Sequence, residues 1–170
     1  MHKLDEIIEN IWLGNYSAAE DVKDLKNKGI KKVLSILGKN DDIVFKEEDG
    51  FIHKKFTTIE DLSNQNIIQY FGECLNFIKG KEKVLVHCRA GASRSASIVI
   101  AYIMWQKKLK FDDALGLTQK KRFLVYPNPS FRNQLKEFGK LLIKNKYDID
   151  KINFKEIKWE PKNDEEEDFP

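Results

Sequence analysis

The sequence predicts a single α/β domain, a central, mainly parallel and twisted sheet flanked by helices, and three observations carry that expectation. Short apolar runs of strand length alternate with longer segments of helical periodicity, the pattern of strand–helix–strand units. The 170 residues suit one compact domain, large enough to bury a core without staples. Two cysteines are too few for a disulfide framework or a four-cysteine zinc site, so packing must hold the fold.

Taken in order, residues 7–13 carry apolar side chains at Ile7, Ile8, Ile11 and Leu13, giving one bent strand or two short ones. Ser17 and Glu20 have the spacing of a capping box and Gly29 stands where a helix stop is expected, so residues 18–28 should form one helix. Residues 32–37 (Lys-Val-Leu-Ser-Ile-Leu) read as a short buried strand and 51–56 as a second. Ile67, Phe71, Cys74, Leu75 and Ile78 recur at helical spacing within 66–79, ahead of Gly80. Residues 83–87 (Lys-Val-Leu-Val-His) give a third strand. The run 96–105 behind it is apolar all round, which places Met104 and Trp105 in the core. Residues 112–121 and 129–144 read as two more helices.

The net charge of +3 is unevenly spread. Residues 1–147 hold 26 basic and 18 acidic side chains, a balance of +8, whereas 148–170 hold 4 and 9, a balance of −5. A modestly basic body suits an anionic substrate or merely a solvated surface. Lys107, Lys108, Lys110 and the run Lys120-Lys121-Arg122 are expected on solvated faces, since they lack the interleaved aromatics of a nucleic-acid platform. The longest apolar run, ten residues broken by Ser97 and Tyr102, is about half of a membrane span. No export stretch or acylation site is visible, and His2 stands where myristoylation needs glycine. A reducing location, cytoplasmic or nuclear, is therefore expected, with no membrane or nucleic-acid partner. Ile149, Ile152, Phe154, Ile157 and Trp159 are too many for a spacer. Residues 1–147 are thus expected to form the domain and 148–170 an acidic tail that docks in part, with 164–170 loose.

In parallel α/β sheets, ligands gather at the carboxyl ends of strands, where loops open towards helix N-termini. The loop after 83–87 reads His87-Cys88-Arg89-Ala90-Gly91-Ala92-Ser93-Arg94-Ser95, and the helix follows at once. Successive N–H groups in such a turn form a nest for an anion, and the helix N-terminus adds about half a positive charge. The same field favours the thiolate of Cys88, the form that attacks. Arg94 offers a planar fork matched to two phosphate oxygens, where lysine would be a point charge. Gly91 permits a positive φ or a close backbone approach to the anion.

His-Cys-x-x-Gly-x-x-Arg-Ser resembles the signature of the cysteine-dependent protein-tyrosine phosphatase superfamily, and Ala-Gly-x-Ser-Arg-Ser its form in the dual-specificity phosphatase family. Ile11-Trp12-Leu13-Gly14-Asn15 is similar to the family's opening strand, and residues 29–37 to its next one. Glu60-Asp61 with Asn66-Ile67 and Tyr70-Phe71 resembles its acid loop and following helix. Arg122, Pro127-Asn128-Pro129-Ser130-Phe131 and Gln134-Leu135 resemble its closing segment. The likeness covers about residues 7–142 and is to the small atypical type of the family.

The resemblance implies that Cys88 is the nucleophile, forming a phosphocysteine, and that Arg94 binds the phosphoryl group. The backbone of Arg89, Ala90, Gly91, Ala92, Ser93 and Arg94 would cradle the other oxygens. Ser95 would stabilise the departing thiolate, although a serine in a first helical turn also serves as a cap. Asp61 is the expected general acid, 27 residues before Cys88, with Glu60 as first substitute and a solvated loop carboxylate as the plainer role. His87 is expected to be a hydrogen-bonded histidine that stiffens the loop. Cys74 reads as core filler, and some relatives would give it a second role as a disulfide partner of Cys88 on oxidation. No metal or cofactor is called for, and a monomer is expected. A shallow pocket with neutral Ala90, Ala92 and Ser93 favours a phosphoprotein substrate bearing phosphotyrosine, phosphoserine or phosphothreonine. The alternatives are a phosphoinositide or an RNA 5′ end, or a phospho-binding scaffold with little turnover.

Overall fold

The computed structural model describes residues 2–160, so the expectation that 164–170 are loose lies outside the described residues. β1 (Leu4–Ile8) and β2 (Ile11–Gly14) pair antiparallel, which resolves the stretch 7–13 into two short strands. β3 (Ile30–Ile36), β4 (Ile52–Phe56) and β5 (Lys83–His87) complete a five-stranded sheet in the order β1-β2-β5-β3-β4, with every pairing after the first parallel. This is the single α/β fold with a mainly parallel sheet that the sequence predicts. The central β5 is buried from Val84 to His87, as a strand covered on both faces must be.

One helix of the sequence reading is corrected. Residues 18–28 form two helices, α1 (Tyr16–Glu20) and α2 (Val22–Asn27), because the Asp21 side chain accepts from Asp24 N–H and starts a new helix. The first cap is Asn15, whose Oδ1 takes Ala18 N–H at 2.9 Å, and not Ser17. In 66–79, a 3₁₀ turn precedes α3 (Phe71–Ile78), because Gln134 Oε1 accepts the N–H groups of Ile67 and Ile68 from outside. α4 (Arg94–Lys107) is buried from Arg94 to Met104. Trp105 is only partly covered and donates Nε1–H to Tyr147 O at 3.0 Å. α5 (Phe111–Lys121) and α6 (Pro129–Lys144) follow, the latter with Asn128 as cap and proline at its first position.

The larger core joins α3, α4, α5 and α6 to one face of the sheet; a smaller one gathers Trp12, Leu25, Ile30, Val33 and Leu85 on the other. Ile149, Ile152 and Phe154 enter the larger core. The Phe154 ring fills the notch left by Gly72 on α3, where a Cβ would fall 2.6 Å from Cδ2 of the ring. Beyond it, Ile157 O accepts from Asn66 Nδ2 at 2.7 Å and Trp159 Nε1–H donates to Ser130 Oγ at 3.0 Å.

Phe154→Ala should lower unfolding free energy by about 3–5 kcal/mol, read as a lower urea midpoint at unchanged slope. A shift below about 1 kcal/mol would show that the ring is not a core side chain.

Candidate active site

Between β5 and α4 the chain turns through Cys88 to Ser93, and every carbonyl of that turn has a donor outside it. Cys88 O lies 3.1 Å from His87 Nδ1, and Arg89 O accepts from Tyr16 N–H at 3.0 Å. Ala90 O and Gly91 O accept from Arg122 Nη2 at 3.3 Å and Nε at 2.9 Å. Ala92 O takes Tyr126 N–H at 2.8 Å, and Ser93 O takes the N–H and hydroxyl of Ser97 at 2.8 and 2.7 Å. A trans peptide holds its C=O and N–H antiparallel. Turning these carbonyls outward therefore turns the N–H groups of residues 89 to 94 inward, which makes an anion nest. Gly91 has φ of 69°, and a Cβ there would meet Gly14 O at 2.6 Å and Arg122 Nη2 at 2.8 Å, so only glycine fits.

Cys88 stands at the base of the turn, 2% exposed, with Sγ accepting from Ser95 Oγ at 3.0 Å and from Gly91 N–H at 3.3 Å. Arg94 opens α4, 8% exposed, its plane anchored by Nη1–H to Ile59 O at 3.1 Å. The cysteine, arginine and serine of the sequence reading thus come together in one strand–loop–helix unit. The Arg89 side chain instead points out and pairs with Asp41 at 2.6 Å, beside a cavity of about 450 Å³ that Tyr16, Ser17, Asn40 and Asp42 also line.

Asp61, on the loop after β4, is tied to this unit: its Oδ1 accepts from Ser93 Oγ at 2.7 Å and from Asn128 Nδ2 at 2.8 Å. Ser93 Oγ in turn accepts from Asn128 N–H at 3.0 Å. Glu60 is turned away, its Oε1 taking Lys39 N–H at 2.8 Å.

Arg122 corrects the expectation of a solvated basic face. Lys120 and Lys121 are exposed, but Arg122 is 3% exposed and spreads its fork over Ala90 O, Gly91 O, His2 O at 2.8 Å and Asp5 Oδ2 at 2.9 Å. A lysine could not reach this set. Asn128 enters the sequence reading only inside a motif, yet it both caps α6 and holds Asp61. Asparagine before a proline at the start of a helix is a cap signal, but nothing local announces the second bond.

His87 is fully buried, and burial pushes its pKa from the ordinary 6.5 down to about 4. Its Nε2 lies 2.6 Å from Ser35 Oγ, which lies 2.8 Å from His53 Nε2. Burial and the nearby Lys55 charge lower the pKa of His53 too, against Asp42, which raises it. Cys74 is a free thiol in the larger core, and burial pushes its pKa up. Among the described residues no three His, Cys, Asp or Glu side chains cluster closely enough to hold a metal ion.

Known proteins share this fold. Residues 11–141 match the family model of the dual specificity phosphatase catalytic domain. The chain is 41% identical over 144 residues to MAP kinase phosphatase with leucine-rich repeats protein 1 of Dictyostelium discoideum, covering 82% of this chain and 16% of that protein. To dual specificity protein phosphatase 1B of Arabidopsis thaliana it is 34% identical over 141 residues, 81% of this chain and 82% of the relative. The crystal structure of human tyrosine phosphatase-like serine/threonine/tyrosine-interacting protein superposes with a TM-score of 0.76 at 35% identity, over 82% of this chain and 97% of that one. Of several curated relatives the chain spans only 16% to 42% of the length. The chain belongs to the dual-specificity phosphatase family of the protein-tyrosine phosphatase superfamily, a family of hydrolases.

The buried, neutral His87 makes stability depend on pH. Between about pH 4 and 6.5 the unfolded chain binds a proton that folded His87 does not, so stability present above pH 6.5 falls towards pH 4, by about 3 kcal/mol in all. Urea titrations of wild type and His87→Gln should diverge by about that amount between pH 7 and 4. Parallel curves would contradict the assignment.

Proposed function

We propose that the chain hydrolyses phosphate monoesters on phosphoproteins, at phosphotyrosine and at phosphoserine or phosphothreonine, through a phosphocysteine intermediate. The observation that carries this reading is the outward set of carbonyls from Cys88 to Ser93, which faces a ring of N–H groups inward around a thiol and an arginine fork. Three phosphoryl oxygens fit the ring and the Arg94 fork, whose charge is worth most where negative charge grows in the transition state. Cys88 Sγ attacks phosphorus, the P–O bond to the substrate breaks, and the leaving oxygen takes a proton from Asp61. Water then gives its proton to the Asp61 carboxylate and attacks phosphorus. The P–S bond breaks, phosphate departs, and the Ser95 hydroxyl at 3.0 Å donates to the thiolate that forms. Asp61 is the proposed acid in preference to Glu60, because Ser93 and Asn128 hold Asp61 at the loop while Lys39 draws Glu60 away.

The proposed working form is a monomer in the cytoplasm or nucleus, needing no metal or cofactor; a reducing compartment keeps the thiol active. Neutral Ala90, Ala92 and Ser93 and the outward-turned Arg89 support a phosphoprotein over a polyanionic lipid or RNA end. The MAP kinase phosphatase named above supports it as well. A second reading, a phospho-binding scaffold, is favoured by the likeness to the human phosphatase-like interacting protein; the intact pair of Cys88 and Asp61 in this chain weighs against it.

With an aryl phosphate, Cys88→Ser should fall to the uncatalysed background and Asp61→Ala should lose about 10²–10³ in kcat. Wild type no faster than Cys88→Ser would leave the scaffold reading. Full kcat in Asp61→Ala would move the acid to Glu60. Ranked by kcat/KM, phosphotyrosine and phosphothreonine peptides should exceed phosphoinositides and 5′-triphosphate RNA; the reverse order would overturn the substrate class.

A further inference from the structure

His53 lies on β4, two strands away from the strand that ends at His87, yet the two rings share one hydroxyl. Ser35, on the intervening β3 and opposite His87 in register, is fully buried with its Oγ 2.8 Å from His53 Nε2 and 2.6 Å from His87 Nε2. The direction of every hydrogen bond in this chain follows from one end. A carbonyl oxygen only accepts, so His87 Nδ1, 3.1 Å from Cys88 O, carries a hydrogen. In a neutral imidazole the other nitrogen is then an acceptor, so the single hydroxyl proton of Ser35 goes to His87 Nε2. With that proton committed, Ser35 Oγ can only accept from His53, whose hydrogen is therefore on Nε2. Burial, which disfavours the charged ring at both positions, supports the neutral forms.

We propose that His53 is a positioning residue for the catalytic loop, acting through a one-way relay: His53 Nε2–H to Ser35 Oγ, Ser35 O–H to His87 Nε2, and His87 Nδ1–H to Cys88 O. The relay fixes the tautomer of His87, and the tautomer holds the Cys88 carbonyl. Because that carbonyl and Arg89 N–H belong to one trans peptide, the relay also aims Arg89 N–H away from the His87 ring. His53 thus acts across two strands on the first N–H group of the nest. The Phe45 ring packs against it at 4.8 Å between centroids, and the charged groups beside it are Lys55 and Asp42. The inference rests on the reading of the loop as a phosphate cradle and adds a control on its geometry.

The test compares two side chains of one shape. In His53→Gln the amide can donate to Ser35, whereas in His53→Glu the carboxylate only accepts and competes for the Ser35 proton, leaving a lone pair to face His87. Imidazole ¹⁵N NMR at pH 7, with His87 assigned by comparison with His87→Asn, reads the tautomer directly. Wild type and His53→Gln should carry the proton on Nδ1, with kcat for an aryl phosphate equal within about twofold. His53→Glu should move it to Nε2 and lower kcat about fivefold with little change in KM. Ser35→Ala, which cuts the relay without adding charge, should mix the tautomers and lower kcat in the same direction. A wild-type proton on Nε2, or one shared tautomer and kcat in His53→Glu, His53→Gln and Ser35→Ala, would overturn the proposal. The tautomer reading needs no turnover, so a relay in a chain without phosphatase activity would count against the proposed function alone.

Discussion

The carbonyls from Cys88 to Ser93 must all point away from the centre of their turn, and the rest of the structure is arranged to satisfy them. A buried carbonyl without a donor is costly, so a turn that faces six N–H groups inward stands only if donors come from elsewhere. Here they come from five places in the chain. Tyr16 N–H comes from the start of α1, the Arg122 fork from the end of α5, Tyr126 N–H from the segment before α6, Ser97 from within α4, and the His87 ring from the end of β5. Arg122 is itself held by Asp5 and His2, which gives the edge strand β1 a part in shaping a site it does not reach.

The same economy positions the proposed acid. Asp61 sits on an exposed loop, and exposed loops move, so its place depends on anchors. Ser93 and Asn128 hold its carboxylate directly. Gln134, on α6, takes Ile67 and Ile68 N–H on its amide oxygen and gives its own N–H groups to Gln65 O and to Ser130 Oγ. Asn66 then donates to Ile157 O, so the segment that docks through Phe154 also braces the loop of Asp61 from outside.

What could be read from the sequence was whatever is contiguous in it. β5, its loop and the start of α4 lie within one stretch of chain, so the thiol, the fork and the glycine could be placed before any fold was known. Asp61 was legible as a carboxylate following a strand. The Arg122 bonds to Ala90 and Gly91 were not, because an arginine at the end of a basic helix looks like a solvated one until the tertiary fold buries it. Ser35 and His53 were invisible for the same reason: each is an ordinary strand residue until β3 is inserted between β4 and β5. The break at Asp21 was missed because a local side-chain bond outweighed a helical pattern that was otherwise continuous.

The proposed attack by Cys88 from within this ring of N–H groups requires one intermediate, a phosphocysteine. Rapid acid quench during turnover of an aryl phosphate, followed by digestion and mass spectrometry, should find phosphate on the peptide bearing Cys88, at a level that rises within the first turnover. Continued turnover with no phosphate on that peptide at any quench time would contradict the central claim, because the cradle would then be binding the substrate without Cys88 attacking it.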